Sequence, residues 1–190
     1  QLATGNPHEV IEVQRMLAPY GIEVISPDKS LVDNIVEDGE TFIDNAFIKA
    51  RAVYDATGIA TLADDSGLCV DALDGRPGVY SARYMGEETS YHDKMLGIAA
   101  ELAAMPEAPR TARFVCALAL ITPHGEWTFV GECEGVIGNE PRGNNGFGYD
   151  PIVMLGDKSY AELTDSQKDE ISHGGRALEN FIAHVDRIKF

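Results

Sequence analysis

The sequence predicts an α/β fold: a mixed β-sheet flanked by helices. Three observations carry this. Apolar residues recur at the helical period from Phe42 to about Ala56. The segments "ARFVCALALI" and "WTFVGECEGVI", joined by "TPHGE", read as the two arms of a hairpin. Strand-like and helical text interleave along all 190 residues, with no internal repeat, low-complexity tract or linker. An antiparallel hairpin inside an interleaved chain argues against a simply doubly wound sheet. The length suits a single domain, residues 1–190.

Taken in order, "LAT" reads as the end of a strand and His8–Ala18 as a helix with Val10, Val13, Met16 and Leu17 on one side. "IEVI" is a second short strand. In the helix from Phe42, the stripe is Ile43, Ala46, Phe47, Ala50, Val53 and Tyr54. Thr41 is its expected N-cap, with Asp44 three residues on. Asn45 and Lys49, four apart, sit together away from that stripe. "IATLA" reads as a buried strand ending at an aspartate pair, "DGRPG" as a turn, and Tyr91–Ala104 as a helix. On the second hairpin arm Trp127, Phe129, Cys133 and Ile137 share one face, and Thr128, Glu132 and Glu134 the other. A glycine-rich loop follows, "PRGNNGFGYDP", and the last helix carries Leu178, Phe181, Ile182 and Val185 on one stripe.

Hydrophobic residues at 44% and charged ones at 24% place the chain among globular rather than disordered proteins. No apolar run approaches the ~18 residues that a membrane-spanning helix needs. "QLATGNPHEV" lacks a basic segment followed by an apolar one, so export is not expected; it opens so close to a motif that native residues are expected before Gln1. Cys69, Cys116 and Cys133 lie in strand-like text without CxxC spacing and read as buried reduced thiols, which fits a cytoplasmic protein. Thirty-one acidic residues against 15 basic ones give a net charge of −16, which repels a nucleic-acid duplex. A small polyanion remains compatible, because a divalent cation inverts the local field of an acidic cleft.

Several segments carry chemistry, each with a plainer alternative. Thr4-Gly5-Asn6, between a strand and a helix, presents backbone N–H groups to an anion, or is an ordinary turn with a helix cap. In "VEDGETF", Glu37, Asp38 and Glu40 either suit the dipole of the following helix or ligate something with a partner elsewhere. In "LADDSGLCVDAL", Asp64 and Asp65 point to opposite faces of a strand, so one is expected to enter a cleft; a surface turn is the alternative. Hard carboxylate oxygens there favour Mg²⁺ or Mn²⁺. "NNGFGYDP" sets Phe147, Tyr149 and Asp150 either to stack on and read a base, or to cover the edge of a core. On its own Lys168 reads as solvated, and His173 as a structural histidine at a helix start. Ser66 has no local base partner, the histidines do not cluster, and G-x-S-x-G and HExxH are absent.

In their order, "LATGN", "TFIDNAFIKAR", "LADDSGLCVDAL", "GRPGVYSARY", "GFGYDP" and "AELTDSQKDEISH" resemble the inosine triphosphate pyrophosphatase family of noncanonical purine nucleoside triphosphate pyrophosphatases, over essentially Leu2–Phe190. The resemblance implies an elongated fold of two lobes with a central cleft, a homodimer, and hydrolysis of ITP, dITP and XTP to monophosphate and pyrophosphate with Mg²⁺. It assigns Asp65 as general base and metal ligand and Glu37 as second metal ligand. Thr4, Gly5, Asn6 and Lys49 take the phosphate-binding positions, and Ser66 a substrate contact. Phe147, Gly148, Tyr149 and Asp150 form the base-stacking and base-reading loop, with Lys168 and His173 as further nucleotide contacts. Two positions depart from the pattern: Glu9 stands where the family has a phosphate-binding lysine, and Gly174 where it has an arginine that reads the 6-oxo group. Those departures leave room for altered nucleotide specificity on the same metal chemistry, or for a non-catalytic nucleotide-binding protein.

Overall fold

The computed structural model describes Gln1–Phe190. Helices α1 (Pro7–Leu17), α2 (Lys29–Asp33) and α3 (Phe42–Thr57) precede strand β1 (Thr61–Val70). Helix α4 (Tyr91–Ala103) leads into β2 (Thr111–Thr122) and β3 (Gly125–Ile137). The chain closes with β4 (Val153–Leu155), β5 (Lys158–Ser159), α5 (Asp165–Asp169) and α6 (His173–Ile182). The strands form one sheet in the order β1-β2-β3-β4-β5, and β4 runs antiparallel to both its neighbours. The Pro123–His124 connection between β2 and β3 is too short for anything but the expected antiparallel hairpin. A parallel bridge from Leu2 to Leu62 makes the architecture mixed. No helix is long and apolar enough to cross a membrane.

Local chemistry accounts for the helix boundaries. Thr41 caps α3 in a full capping box: its hydroxyl accepts from the Asp44 N–H at 3.1 Å, and the Asp44 carboxylate accepts from the Thr41 N–H at 3.2 Å. Gly58, left-handed, closes that helix. Asn6 caps α1 with Pro7 in its first turn, and Ser90 caps α4. On β3, Phe129, Cys133 and Ile137 are buried while Thr128, Glu132 and Glu134 are exposed, as the period-two pattern predicts.

The chain forms two compact units. The first comprises Gln1–Asp65, Cys116–Gly131 and Arg176–Phe190. Its core has one cluster around Leu17, Leu62, Leu118, Phe129 and Phe181, and a second in which Ala46, Ala50 and Val53 of α3 meet Ala3, Ala63, Ala119 and Ile121. Alanines on both sides let α3 lie close to β1 and β2, which brings the first turns of α3 within reach of the β1 side chains. The second unit comprises Ser66–Val115 and Glu132–Gly175, around Leu68, Ile98, Leu102, Phe114, Ile137 and Ile152.

Five expectations need correction. "IEVI" is not a strand: the Gln14 side chain takes the Val24 N–H at 2.6 Å and donates to the Ile22 carbonyl at 3.2 Å, occupying groups a ladder would use. "LAT" contributes only the Leu2 bridge. β1 does not end at the aspartates but continues to Val70, because Leu68 and Val70 bury their side chains beyond them. Asn45 is 1% exposed rather than set away from the packed face. Cys69 is only half-buried, though all three cysteines are free thiols.

Candidate active site

In the first unit, β1 and α3 assemble a cluster of carboxylates around one lysine. Asp65 is half-buried on β1, and its Oδ2 accepts from Asn45 Nδ2 at 3.1 Å. The same Asn45 amide accepts the Gly39 N–H through Oδ1 at 2.8 Å. Asn45 thus ties the loop before α3 to the strand. One turn along α3, Lys49 Nζ lies 2.7 Å from Glu37 Oε1, and Asp64 and Asp65 act on the same ammonium. The i, i+4 spacing of Asn45 and Lys49 aims both at one patch.

The Thr4–Asn6 turn is also in this unit. The Thr4 hydroxyl accepts from the Asn6 N–H at 3.1 Å and donates to Glu9 Oε2 at 2.5 Å, while Asn6 Oδ1 caps α1 through the His8 N–H at 3.0 Å. Much of the turn's hydrogen-bonding capacity is therefore used internally, with the Glu9 carboxylate on the Thr4 hydroxyl. Burial pushes the Glu9 carboxyl up, Thr4 pulls it down, and Asp64 raises it again.

Burial is also the main force on Asp65, whose carboxyl is pushed up to about 6. The Asn45 hydrogen bond and Lys49 pull the other way; Glu37 and Asp64 add to the rise. Burial draws Lys49 down, but Asp64, Glu37 and Asp65 outweigh it, so its pKa lies above the ordinary value. A metal-free NMR titration is therefore expected to place Asp65 near 6. Because the folded value exceeds the ordinary 3.8, the stability this group contributes is complete below about 3.8 and is lost as pH rises through about 6. Comparing the metal-free melting curves of wild type and Asp65→Asn across that window checks the sign.

No three His, Cys, Asp or Glu side chains are placed to cage a metal by themselves. Glu37 and Asp65 nevertheless suit a hard divalent cation, since magnesium is usually held by one or two carboxylates, with water and phosphate oxygens supplying the rest.

The second unit holds the remaining predicted residues. Phe147 is 84% exposed on its loop. Tyr149 is buried: its hydroxyl donates to the Ser81 carbonyl at 2.6 Å, and its ring meets Tyr91 edge-to-face at 5.2 Å. Asp150, also buried, accepts from the Phe147 N–H at 3.1 Å and from Lys168 Nζ at 3.3 Å. Lys168 is not the solvated lysine its local sequence suggests: it also donates to the Asn145 carbonyl at 2.7 Å and lies over the Tyr160 ring. His173 stacks on Phe114 at 5.2 Å, and burial holds its pKa down at about 4, so it is neutral at physiological pH. Ser66 is exposed, and Gly148 adopts a left-handed backbone, φ +60°.

Thus Glu37, Lys49 and Asp65 come together in one unit, and Phe147, Asp150 and Lys168 in the other. Sequence reasoning gave no role to Asn45 or Gly146, and Asp64, read only as one of two aspartates of which one enters a cleft, joins Asp65 in acting on Lys49. The spacing of Asn45 from Lys49 was the available signal for the first; nothing in the local text marks Gly146.

A family model described as the Ham1 family matches residues 1–184. The dITP/XTP pyrophosphatase of Vibrio parahaemolyticus is 44% identical, covering 97% of this chain and 94% of that protein. That of Bacillus subtilis is 46% identical, with 94% and 92% covered. Among solved structures, a HAM1 protein from Coxiella burnetii superposes with a TM-score of 0.91 at 38% identity, over 98% of each chain. The motif order read from the sequence and these likenesses agree, and the chain belongs to the Ham1 family.

Proposed function

We propose that the protein is a nucleoside triphosphate pyrophosphatase that cleaves the α–β phosphoanhydride of noncanonical purine nucleotides, dITP, ITP and XTP, releasing monophosphate and pyrophosphate. The observation that carries this reading is Asp65: a half-buried carboxylate with a pKa near 6, held by Asn45 beside Lys49 and Glu37. A base poised near neutrality next to a lysine ammonium suits hydrolysis of a phosphoanhydride. The names of the relatives support dITP and XTP among these substrates.

In this reading Asp65 accepts the proton of a water attacking the α-phosphorus. Asn45 fixes the carboxylate so that one oxygen stays aimed. Lys49 offsets the charge that accumulates on the phosphoryl oxygens, and pyrophosphate leaves. When bound at Glu37 and Asp65, a divalent cation, magnesium or alternatively manganese, supplies Lewis-acid polarisation of phosphate and water. The Phe147 ring stacks on the purine, and the Asp150–Lys168 pair holds the loop that presents it. The resemblance also supports a homodimer.

A malachite-green assay of phosphate released by added inorganic pyrophosphatase, run over a panel of nucleoside triphosphates with Mg²⁺, tests the reading. Turnover of dITP and XTP is expected, with ATP turned over less well; equal inactivity on all of them would overturn it. The panel also reports on Gly174. A Cβ there meets nothing within 4 Å, so crowding at that atom does not demand glycine at 174. Without that donor the preference of ITP over ATP in kcat/KM is expected to be modest.

Glu9 favours a second reading, weakened triphosphate binding, because its carboxylate occupies the Thr4 hydroxyl. Glu9→Lys is expected to lower KM for ITP by about tenfold, the scale of a charge-assisted hydrogen bond. An unchanged or higher KM refutes that role for Glu9.

A further inference from the structure

Lys94 is 1% exposed, the bulkiest fully buried side chain in the protein, and it belongs to none of the groups described above. It stands in the first turn of α4, one residue after Asp93, whose N–H the Ser90 cap takes at 3.1 Å. A positive charge there opposes the helix dipole, and removing an ammonium from water is costly in itself. An apolar side chain of similar length would fill the space at lower cost. The residue therefore calls for an explanation other than packing.

Its contacts supply one. Lys94 Nζ donates to the Ala82 carbonyl at 2.5 Å and lies 4.8 Å from the centroid of the Tyr91 ring. Both partners lead to the same loop. The residue before Ala82 is Ser81, whose carbonyl accepts the Tyr149 hydroxyl and whose own hydroxyl donates to the Gly78 carbonyl and accepts from the Leu68 N–H. Tyr91 packs edge-to-face on Tyr149, and its ring lies 3.7 Å from where a Cβ on Gly148 would stand. One buried ammonium thus fixes both supports beneath Phe147–Asp150: the carbonyl strip that holds Tyr149 and the ring that backs Gly148.

We propose that Lys94 is a positioning residue that sets the floor of the nucleobase loop, so that Phe147 is held in place to stack on a purine. This rests on the nucleotide reading above. Lys94 need not touch the nucleotide; it orders the segment that does.

The test is Lys94→Met, assayed beside wild type. The variant removes the cost of burying a charge but leaves the Ala82 carbonyl without its donor, so its Tm is expected to stay within a few degrees of wild type. KM for dITP is expected to rise about tenfold with kcat within about threefold, the loss of a cation–π contact and a charged hydrogen bond being felt in binding alone. Inhibition by inorganic tripolyphosphate, which has no base, is expected to stay unchanged. A KM that does not move, or a tripolyphosphate constant that moves with it, overturns the proposal. Should Lys94→Met fail to fold, Tyr91→Leu removes the ring at a half-exposed position and leaves the ammonium in place; the same split in KM and kcat is expected, and its absence is equally decisive. A wild-type enzyme inactive on dITP would sink the nucleotide reading, and the positioning role with it; an active wild type with an unaltered variant sinks only the latter.

Discussion

Asp65→Asn is expected to leave the protein folded and to lower turnover of dITP at least about 10²-fold, the usual scale of a lost general base. The substitution is isosteric, and the new amide oxygen still accepts from Asn45 Nδ2, so the tie between α3 and β1 survives. Stability is not expected to fall. At neutral pH the wild-type carboxylate is ionised against the resistance of burial and of its neighbours Glu37 and Asp64, and the variant is relieved of that charge. The readings are steady-state kcat for dITP and the thermal midpoint, taken on the same preparation. Asp64→Asn provides the contrast: Asp64 bears on the same Lys49 ammonium, but Asp65 is the carboxylate that Asn45 holds in place, so a smaller loss is expected. Wild-type turnover in Asp65→Asn would remove Asp65 from the chemistry, whatever the family pattern suggests.

Much of the frame behind that prediction is legible in the sequence, for definite reasons. The β2–β3 hairpin shows because Phe129, Cys133 and Ile137 alternate with polar residues, a signal local to each strand. Helix α3 shows because its stripe and its Thr41–Asp44 cap both lie in contiguous text. What fails to show depends on side chains that satisfy distant backbone. Gln14 reaches from α1 to Ile22 and Val24, which makes an apolar, strand-like run a coil. Leu68 and Val70 extend β1 past two aspartates and a serine, where charge alone argues for a strand end. The site divides the same way. Asp65 is visible as an oddity of composition, an adjacent acidic pair in apolar text. Asn45 is invisible as a partner because its role depends on how close two layers of alanine let α3 approach β1. Lys94, read in sequence, is one more charged residue on an amphipathic helix; only its burial singles it out.

Gly146 sits where the nucleobase loop leaves no room at all, and Gly146→Ala is the substitution expected to damage that loop most. Its backbone is left-handed at φ +111°, a conformation that side chains rarely adopt. A Cβ there would stand 2.1 Å from Asp150 Oδ2 and 2.2 Å from Lys168 Nζ. The methyl group therefore has to displace an ion pair whose side chains are only 8% and 12% exposed. Backbone strain and the disrupted pair together are expected to cost about 3 kcal/mol, a fall in Tm of roughly 6–12 °C for a chain of this size. Asp150 also accepts the Phe147 N–H, so the exposed ring loses its anchor, and KM for dITP is expected to rise at least about tenfold, to a degree set by that hydrogen bond to a charged group. Gly156→Ala separates the two contributions, since Gly156 has φ +69° but nothing within 4 Å of its Cβ position. That variant carries backbone strain without a collision and is expected to lower stability by about 1 kcal/mol, a fall in Tm of roughly 2–4 °C, while leaving KM unchanged. If both substitutions behave alike, crowding against Asp150 and Lys168 is not what the glycine at 146 avoids, and the loop is held by something other than that pair.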